Sequence, residues 1–279
     1  MALSCLISAL AYFKNDQETL IRCRTLAVLF AVLMTILVMG QWAVLVLCSV
    51  VTIVAFGEVG NLQPNSALWV KRAGWVVACF FAASPWFMTE KFIYPLGAIS
   101  LLSLVLVVKN LQSKPGISYL AIVVLLVHIA CGSAAIVGLY TQSVGQLLAL
   151  IFMLQVNDGV AYLVGRSFGR RLLAPIISPK KSLEGAIGGA VGTCLVMITM
   201  RSPLFPVFAD ASWLHGLGLV LIVVLFGVGG DLTFSLAKRK ACLKDFDSYL
   251  PGHGGVLDRL DSLLATAPLV LAWNFWWIQ

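Results

Sequence analysis

Residues Gly229 to Asp261 read GGDLTFSLAKRKACLKDFDSYLPGHGGVLDRLD. This stretch holds five of the chain's 12 acidic residues: Asp231, Asp245, Asp247, Asp258 and Asp261. It also holds five of the 19 basic ones: Lys238, Arg239, Lys240, Lys244 and Arg259. The chain as a whole is 60% hydrophobic and only 11% charged, where soluble domains carry about 25% charged residues. A charge at the centre of a bilayer costs roughly 2.5–3.5 kcal/mol on insertion scales. Charge of both signs is therefore confined to one place, between apolar stretches. A solvated connecting loop would account for the charges alone. It would not account for an Asp inside an apolar helix, a glycine-rich turn with a His, and an acidic pair opening the next helix.

Working outward, the fold class is all-α, a polytopic integral membrane protein. About nine spans are expected from apolar runs of near-spanning length, at Leu26–Gly40, Trp42–Gly57, Gly74–Met88, Tyr94–Val108, Ser118–Tyr140, Leu147–Leu163, Gly185–Met200, Leu214–Phe234 and Leu263–Trp277. With the start of the first span in the cytoplasm, all of the 19 Lys and Arg except Lys91 and Arg201 fall on the cytoplasmic side, as the positive-inside rule requires. This puts Gly229–Asp261 on the cytoplasmic face and the C-terminus on the opposite side. The net charge of +7 is then mostly topology, and nucleic-acid binding is not expected. Met1–Lys14 has apolar residues at helical spacing but lacks the length of a span and the basic start of a secretory signal. It reads as an interfacial helix. The seven Cys form no C-x-x-C pair and read as small buried apolar residues. Short extramembrane loops favour a bacterial inner membrane.

Residues 1–142 read as a less specific set of transmembrane helices. The spans up to Tyr140 carry almost nothing ionisable, and His128 reads as a packed or hydrogen-bonded helix histidine. Residues 143–279 read as the catalytic region. There, Gln155, Asn157 and Asp158 interrupt an apolar helix, and an intramembrane Asp is by default a functional hypothesis, beside an assembly role. Next, Ser178-Pro179-Lys180-Lys181-Ser182-Leu183-Glu184-Gly185 reads as a helix start with Pro179 in the first turn. Its lysines and serine make a plausible phosphate site. Gly185, Gly188, Gly189 and Gly192 would let that helix pack closely on another.

On the following span Asp231, Ser235, Lys238 and Arg239 share a face at 3.6 residues per turn, giving a deep carboxylate and shallow cations. Leu250-Pro251-Gly252-His253-Gly254-Gly255 is not regular helix, and its glycines let backbone N–H groups approach an anion. Asp258 and Asp261 lie three apart on one face of the last helix. Carboxylates from two helices suit a hard cation that in turn holds phosphates. Together these parts point to phosphate-transfer chemistry without naming a substrate.

The ordered motifs resemble those of the phosphatidate cytidylyltransferases, also called CDP-diacylglycerol synthases. They are Asn157-Asp158-x-x-Ala161-Tyr162-x-x-Gly165-Arg166, Ser178-Pro179-Lys180-Lys181-Ser182-x-Glu184-Gly185, Ser235-Leu236-Ala237-Lys238-Arg239 with Lys244-Asp245, and Leu250-Pro251-Gly252-His253-Gly254-Gly255-Val256-Leu257-Asp258-Arg259-Leu260-Asp261. The similarity covers about residues 150–270. It implies an enzyme that transfers the cytidylyl group of CTP to phosphatidic acid, giving CDP-diacylglycerol and diphosphate. It also implies magnesium at Asp231 and Asp258, with a potassium ion allowed beside it, and a homodimer. In that scheme Asp231, Asp258, Lys238, Arg239 and His253 are catalytic. Lys181, Ser182, Lys244, Gly254, Gly255, Arg259, Asp158 and Asp261 bind substrate. The family usually carries an acid where Phe234 stands, a larger apolar residue at Ala237 and a small residue at Asp247. Phe234 is expected to remove a charge near the metal site, and Asp247 to add one. A CTP-dependent transferase for another membrane lipid is the enzymatic alternative. A transporter built on Asp158 and Asp231, or a non-catalytic scaffold, completes the set.

Overall fold

The structure is a computed structural model. It describes residues 17–63, 67–83, 90–113, 116–201, 206–208, 211–247, 249 and 254–278. The expected interfacial segment Met1–Lys14 lies outside the described residues.

Nine α-helices occur among the described residues: α1 Gln17–Met39, α2 Gln41–Gly60, α3 Ala67–Ala83, α4 Glu90–Ser113, α5 Tyr119–Gln142, α6 Val144–Phe168, α7 Leu183–Met200, α8 Trp213–Lys240 and α9 Leu257–Ile278. Six of them, α2 and α4 to α8, contain stretches long and apolar enough to cross a membrane. The protein is therefore an all-α integral membrane protein in its main architecture. Among the described residues the other three helices show no such stretch: α1 has a shorter apolar run at Ala27–Met39, α3 is described over 17 residues, and α9 opens with Asp258, Arg259 and Asp261.

Helices α1 and α2 meet through Gly40 alone, whose φ of 99° is the left-handed region that glycine adopts without a Cβ penalty. The core has two parts. One, around Leu147, Met153, Val223 and Leu271, joins α6, α8 and α9. The other, around Phe56, Ile122, Leu125, Phe234 and Leu257, joins α2, α5, α8 and the start of α9. His128 is buried, with Nδ1 3.0 Å from the Ser103 hydroxyl and 3.3 Å from that of Ser100, as a packed helix histidine requires.

Close helix approach falls where glycines permit it. A Cβ on Gly185 would stand 2.6 Å from the Ala161 carbonyl oxygen, and one on Gly189 would stand 2.7 Å from Asn157 Oδ1. Thus α7 lies directly on α6. A Cβ on Gly230 would lie 2.9 Å from the Asp261 carbonyl oxygen, so α8 and α9 touch at the level of their carboxylates.

One departure from the all-α expectation lies between α6 and α7. Leu172–Ala174 (β1) and Ser178–Ser182 (β2) form a two-stranded antiparallel hairpin. Pro179 therefore sits in a strand and not in a helical first turn. The helix starts at Leu183 because Ser182 is its N-cap, its hydroxyl accepting from Gly185 N–H at 3.1 Å. A serine at that position satisfies an otherwise orphaned helix donor, which a proline start does not.

Candidate active site

The second half of α8 continues for six residues past the expected end at Phe234, to Lys240. This extension carries the cation-bearing face out of the apolar span. Asp231 and Ser235 share a face as the spacing requires, and the Ser235 hydroxyl donates to Asp231 Oδ1 at 3.1 Å. The other oxygen, Oδ2, forms an ion pair with Lys181 Nζ from β2. One turn beyond, Lys238 is nearly buried and donates to Asp258 Oδ1 at 2.5 Å. Its Nζ also lies 5.4 Å from the centre of the Phe246 ring, a cation–π distance.

Asp258 opens α9 and folds the preceding loop onto itself. Its Oδ2 accepts N–H bonds from Gly255 and Phe246, both at 3.0 Å. Gly254 has φ 79°, and a Cβ there would lie 3.0 Å from Asp258 Oδ2. Glycine is thus needed both for the backbone conformation and for the space. The backbone N–H of Gly255 serves Asp258 in this arrangement, not an outside anion.

A residue that sequence reading missed completes this corner. Glu58, at the end of α2, is fully buried. Its Oε1 accepts Val256 N–H at 2.7 Å and its Oε2 accepts Leu257 N–H at 2.8 Å. It thereby caps the N-terminus of α9 from about 200 residues away in sequence. A carboxylate there satisfies orphan donors and opposes the positive end of the helix dipole. A Cβ on Gly255 would meet Glu58 Oε1 at 2.8 Å, so Gly255 makes room for this cap. The expected second span stopped at Gly57, one residue short. An acid closing an apolar helix was the available signal.

A cleft of about 330 Å³ runs between these elements. It is lined by Asp158 and Tyr162 of α6, Ser178, Lys180, Lys181 and Ser182 of β2, Asp231 of α8, and Asp258, Arg259 and Asp261 of α9, with Leu173 of β1 at its edge. The structure therefore brings together Asp158, Lys181, Ser182, Asp231, Asp258, Arg259 and Asp261. Lys238 adjoins through Asp258. Gly254 and Gly255 stand behind Asp258, with Glu58 behind them.

Two expected residues lie elsewhere. Arg239 is exposed, outside the cleft lining, and its Nη1 donates to the Leu243 carbonyl at 3.0 Å, closing the end of α8. Lys244 is exposed in the loop, also outside the lining. His253 lies outside the described residues. Phe234 does not stand beside the cleft as expected. It is fully buried, with its ring 6.0 Å from that of His128 and 6.2 Å from that of Phe246. It occupies the flank of α8 turned towards α5, so its apolar character serves the core. Asp247 likewise lies away from the cleft lining, near α2, where its Oδ2 accepts from Asn61 Nδ2 at 3.2 Å.

The donor set suits a hard cation. The cleft offers carboxylate and hydroxyl oxygens and no Cys or His among its described lining residues. Among the described residues no three His, Cys, Asp or Glu side chains converge as a closed metal cage. One or two carboxylates leave the remaining positions of a divalent cation to water and substrate phosphates. A carboxylate has about four acceptor sites, and these hydrogen bonds leave Asp231 and Asp258 each with room for a cation.

Such a cleft, lined by both carboxylates and cations among membrane helices, suits phosphate-bearing substrates. The comparisons with known proteins agree. Residues 20–276 match the cytidylyltransferase family. The chain is 30% identical over 261 residues to a phosphatidate cytidylyltransferase of Staphylococcus aureus (strain COL), covering 89% of this chain and 97% of that protein. It is 35% identical over 178 residues to a phosphatidate cytidylyltransferase of Staphylococcus saprophyticus, covering 63% of this chain and 67% of that one. A phosphatidate cytidylyltransferase of Haemophilus influenzae is 43% identical over 124 residues, 44% of this chain and 43% of that one. The chain belongs to the cytidylyltransferase family and is a nucleotidyltransferase. Enzymes of this kind generally use divalent metal ions.

Proposed function

We infer that this protein transfers the cytidylyl group of CTP to phosphatidic acid, giving CDP-diacylglycerol and diphosphate, in phospholipid biosynthesis. The observation that carries the reading is the cleft where Lys181 and Arg259 face Asp158, Asp231, Asp258 and Asp261. A lipid phosphate oxygen attacks the α-phosphorus of CTP. The new P–O bond forms as the α–β bridging P–O bond breaks, and diphosphate carries away the electron pair. The nucleophile is already anionic near neutral pH, so the obstacle is repulsion between two polyanions. Screening by fixed cations removes that obstacle better than acid–base catalysis does.

Lys181 and Arg259 hold phosphate oxygens at the cleft. Lys238 fixes the orientation of Asp258, and Glu58 fixes the backbone from which Asp258 projects. Asp231 and Asp258 are the proposed ligands of magnesium, with potassium as a companion ion. The metal supplies charge neutralisation of the triphosphate. Asp158 and Asp261 bind substrate or its ions. Ser182 holds the N-terminus of α7 in place beside the phosphates. His253 is proposed as a hydrogen-bond donor to substrate, Arg239 and Lys244 lie outside the cleft lining, and Gly254 and Gly255 keep the loop close to the site.

The same reading includes nine membrane crossings, adding α1, α3 and α9 to the six long apolar helices. The catalytic region is residues 143–279, with Glu58 reaching into it from the first 142. The cleft faces the cytoplasm of a bacterial inner membrane, the C-terminus lies on the opposite side, and the enzyme is a homodimer. The bias of Lys and Arg to one side supports the orientation.

The test is a panel of acceptors with CTP labelled at the α-phosphorus. Phosphatidic acid should take up label with stoichiometric diphosphate release. Label passing to an isoprenoid phosphate but not to phosphatidic acid would assign the site to another lipid.

A further inference from the structure

The hairpin between α6 and α7 does more than line the cleft. Leu173, Ser178 and Lys180 face the cleft. Phe168, Leu172 and Ile176 do not, and they are 69%, 52% and 92% exposed. Spanning helices also expose apolar faces, because lipid covers them. These three side chains differ, since they belong to the end of α6 and to a β-hairpin beyond it. Exposed Arg166, Arg170 and Arg171 neighbour Phe168 and Leu172 in sequence.

The base of the hairpin is fixed. Glu184 Oε2 accepts the N–H groups of Arg170 and Arg171 at 3.0 and 3.2 Å, and Leu183 N–H donates to the Arg171 carbonyl at 2.8 Å. At the tip, Ile177 N–H donates to the Ala174 carbonyl at 3.2 Å, closing the turn around Pro175. A rigid element at the end of two spanning helices, with exposed apolar side chains at its tip (Ile176) and at its base (Leu172, Phe168) interleaved with basic ones, matches one environment. That environment is the boundary between acyl chains and anionic headgroups, where apolar burial and charge attraction add.

We propose that the 170–182 hairpin seats in the headgroup layer of an anionic bilayer, with Phe168, Leu172 and Ile176 reaching the acyl boundary. It forms the rim over which the acceptor lipid enters the Lys181–Asp231 cleft. The seat needs only the membrane. The entry role rests on the reading of the cleft as a phosphatidic acid site. The basic residues meet the headgroups, while the apolar tip keeps a path open between acyl chains and cleft.

The test uses the full chain in nanodiscs containing phosphatidylglycerol. An environment-sensitive fluorophore is placed on Ile176→Cys in a Cys242→Ser background, with the background protein as the labelling control. Blue-shifted emission, quenched by brominated acyl chains, is the expected result. Water-like emission overturns the proposal. So does blue-shifted emission that lipid-borne quenchers do not reach, because a second protein copy would then cover the tip.

A second variant, Ile176→Asp, separates seat from chemistry. It should raise KM for long-chain phosphatidic acid in vesicles by about tenfold, given the cost of a charge near the acyl region. Turnover of soluble dihexanoyl phosphatidic acid should be unchanged. An equal loss on both lipids overturns the entry role. A quenchable, blue-shifted label in a protein that cytidylylates no phosphatidic acid supports the seat and overturns the acceptor assignment instead.

Discussion

Two lysine–aspartate pairs meet at the same cleft, their α8 members Asp231 and Lys238 about two helical turns apart, and they are built differently. Lys181 and Asp231 come from different elements and are about a quarter and a third exposed. Besides Lys181, Asp231 holds the Ser235 hydroxyl. Lys238 and Asp258 are nearly buried, at 10% and 5% side-chain exposure. Asp258 is held by two backbone N–H groups as well, in a loop that Glu58 caps from behind. In the proposed mechanism the open pair exchanges partners when a triphosphate and its metal arrive. The closed pair holds the loop before substrate arrives. Both carboxylates are proposed metal ligands, but the Asp258 corner also holds the loop together, so substitutions should separate the two.

The largest effect is expected at Asp231. Asp231→Asn should lower kcat by about a thousandfold or more, as loss of a group that places transition-state charge does, while thermal unfolding stays near wild type. Asp258→Asn should also cost activity, but with lowered stability. It leaves Lys238 buried without its counter-charge, and breaking a buried pair typically costs about 3–5 kcal/mol. A thermal melt in detergent beside the kinetic assay distinguishes the two. If both variants melt alike, the division between the corners fails.

Glu58→Gln comes next. It keeps the size but turns an amide N–H2 towards backbone donors, so one cap bond is lost. A cost of about 1–3 kcal/mol in stability is expected, with a fall in activity that follows disorder of the 254–258 loop. Hydrogen exchange at Val256 and Leu257 should rise in this variant and stay unchanged in Asp231→Asn.

Lys181→Ala should raise KM for CTP or phosphatidic acid by about tenfold to a hundredfold, the range for losing one charge-assisted phosphate contact, and leave the melt almost unmoved. Arg239→Ala should be the mildest, with kcat/KM within about threefold, because an exposed side-chain contact to a carbonyl contributes little. A large loss there would bring Arg239 into the site and redraw its edge.

Much of this arrangement could be read from sequence. The 3.6 period placed Asp231, Ser235 and Lys238 on one face of one helix. The three-residue spacing placed Asp258 and Asp261 together, and the glycines of α7 marked its close approach to α6. These are local features, set by helix geometry over one to four turns. Long-range features were not visible. Glu58 meets its partners 198 and 199 residues away, and nothing in its own helix announces them. Arg239 shares the helix face of Lys238, but spacing says nothing of where a long side chain turns at a helix end. Phe234 could be noticed as an unusual residue, yet its neighbour His128 lies on a different helix, so its role in the core was hidden. The β1–β2 hairpin has strands of three and five residues, too short for a period-two pattern to stand out from a helix start.

The most direct test of the account is label transfer from CTP to phosphatidic acid by the purified wild-type protein and by Asp231→Asn, each with and without magnesium. Labelled CDP-diacylglycerol from the wild type alone, and only with magnesium, is the predicted result, with both proteins melting at similar temperatures. Undiminished product from Asp231→Asn would contradict the assignment of the open carboxylate to the metal and move the chemistry elsewhere in the cleft.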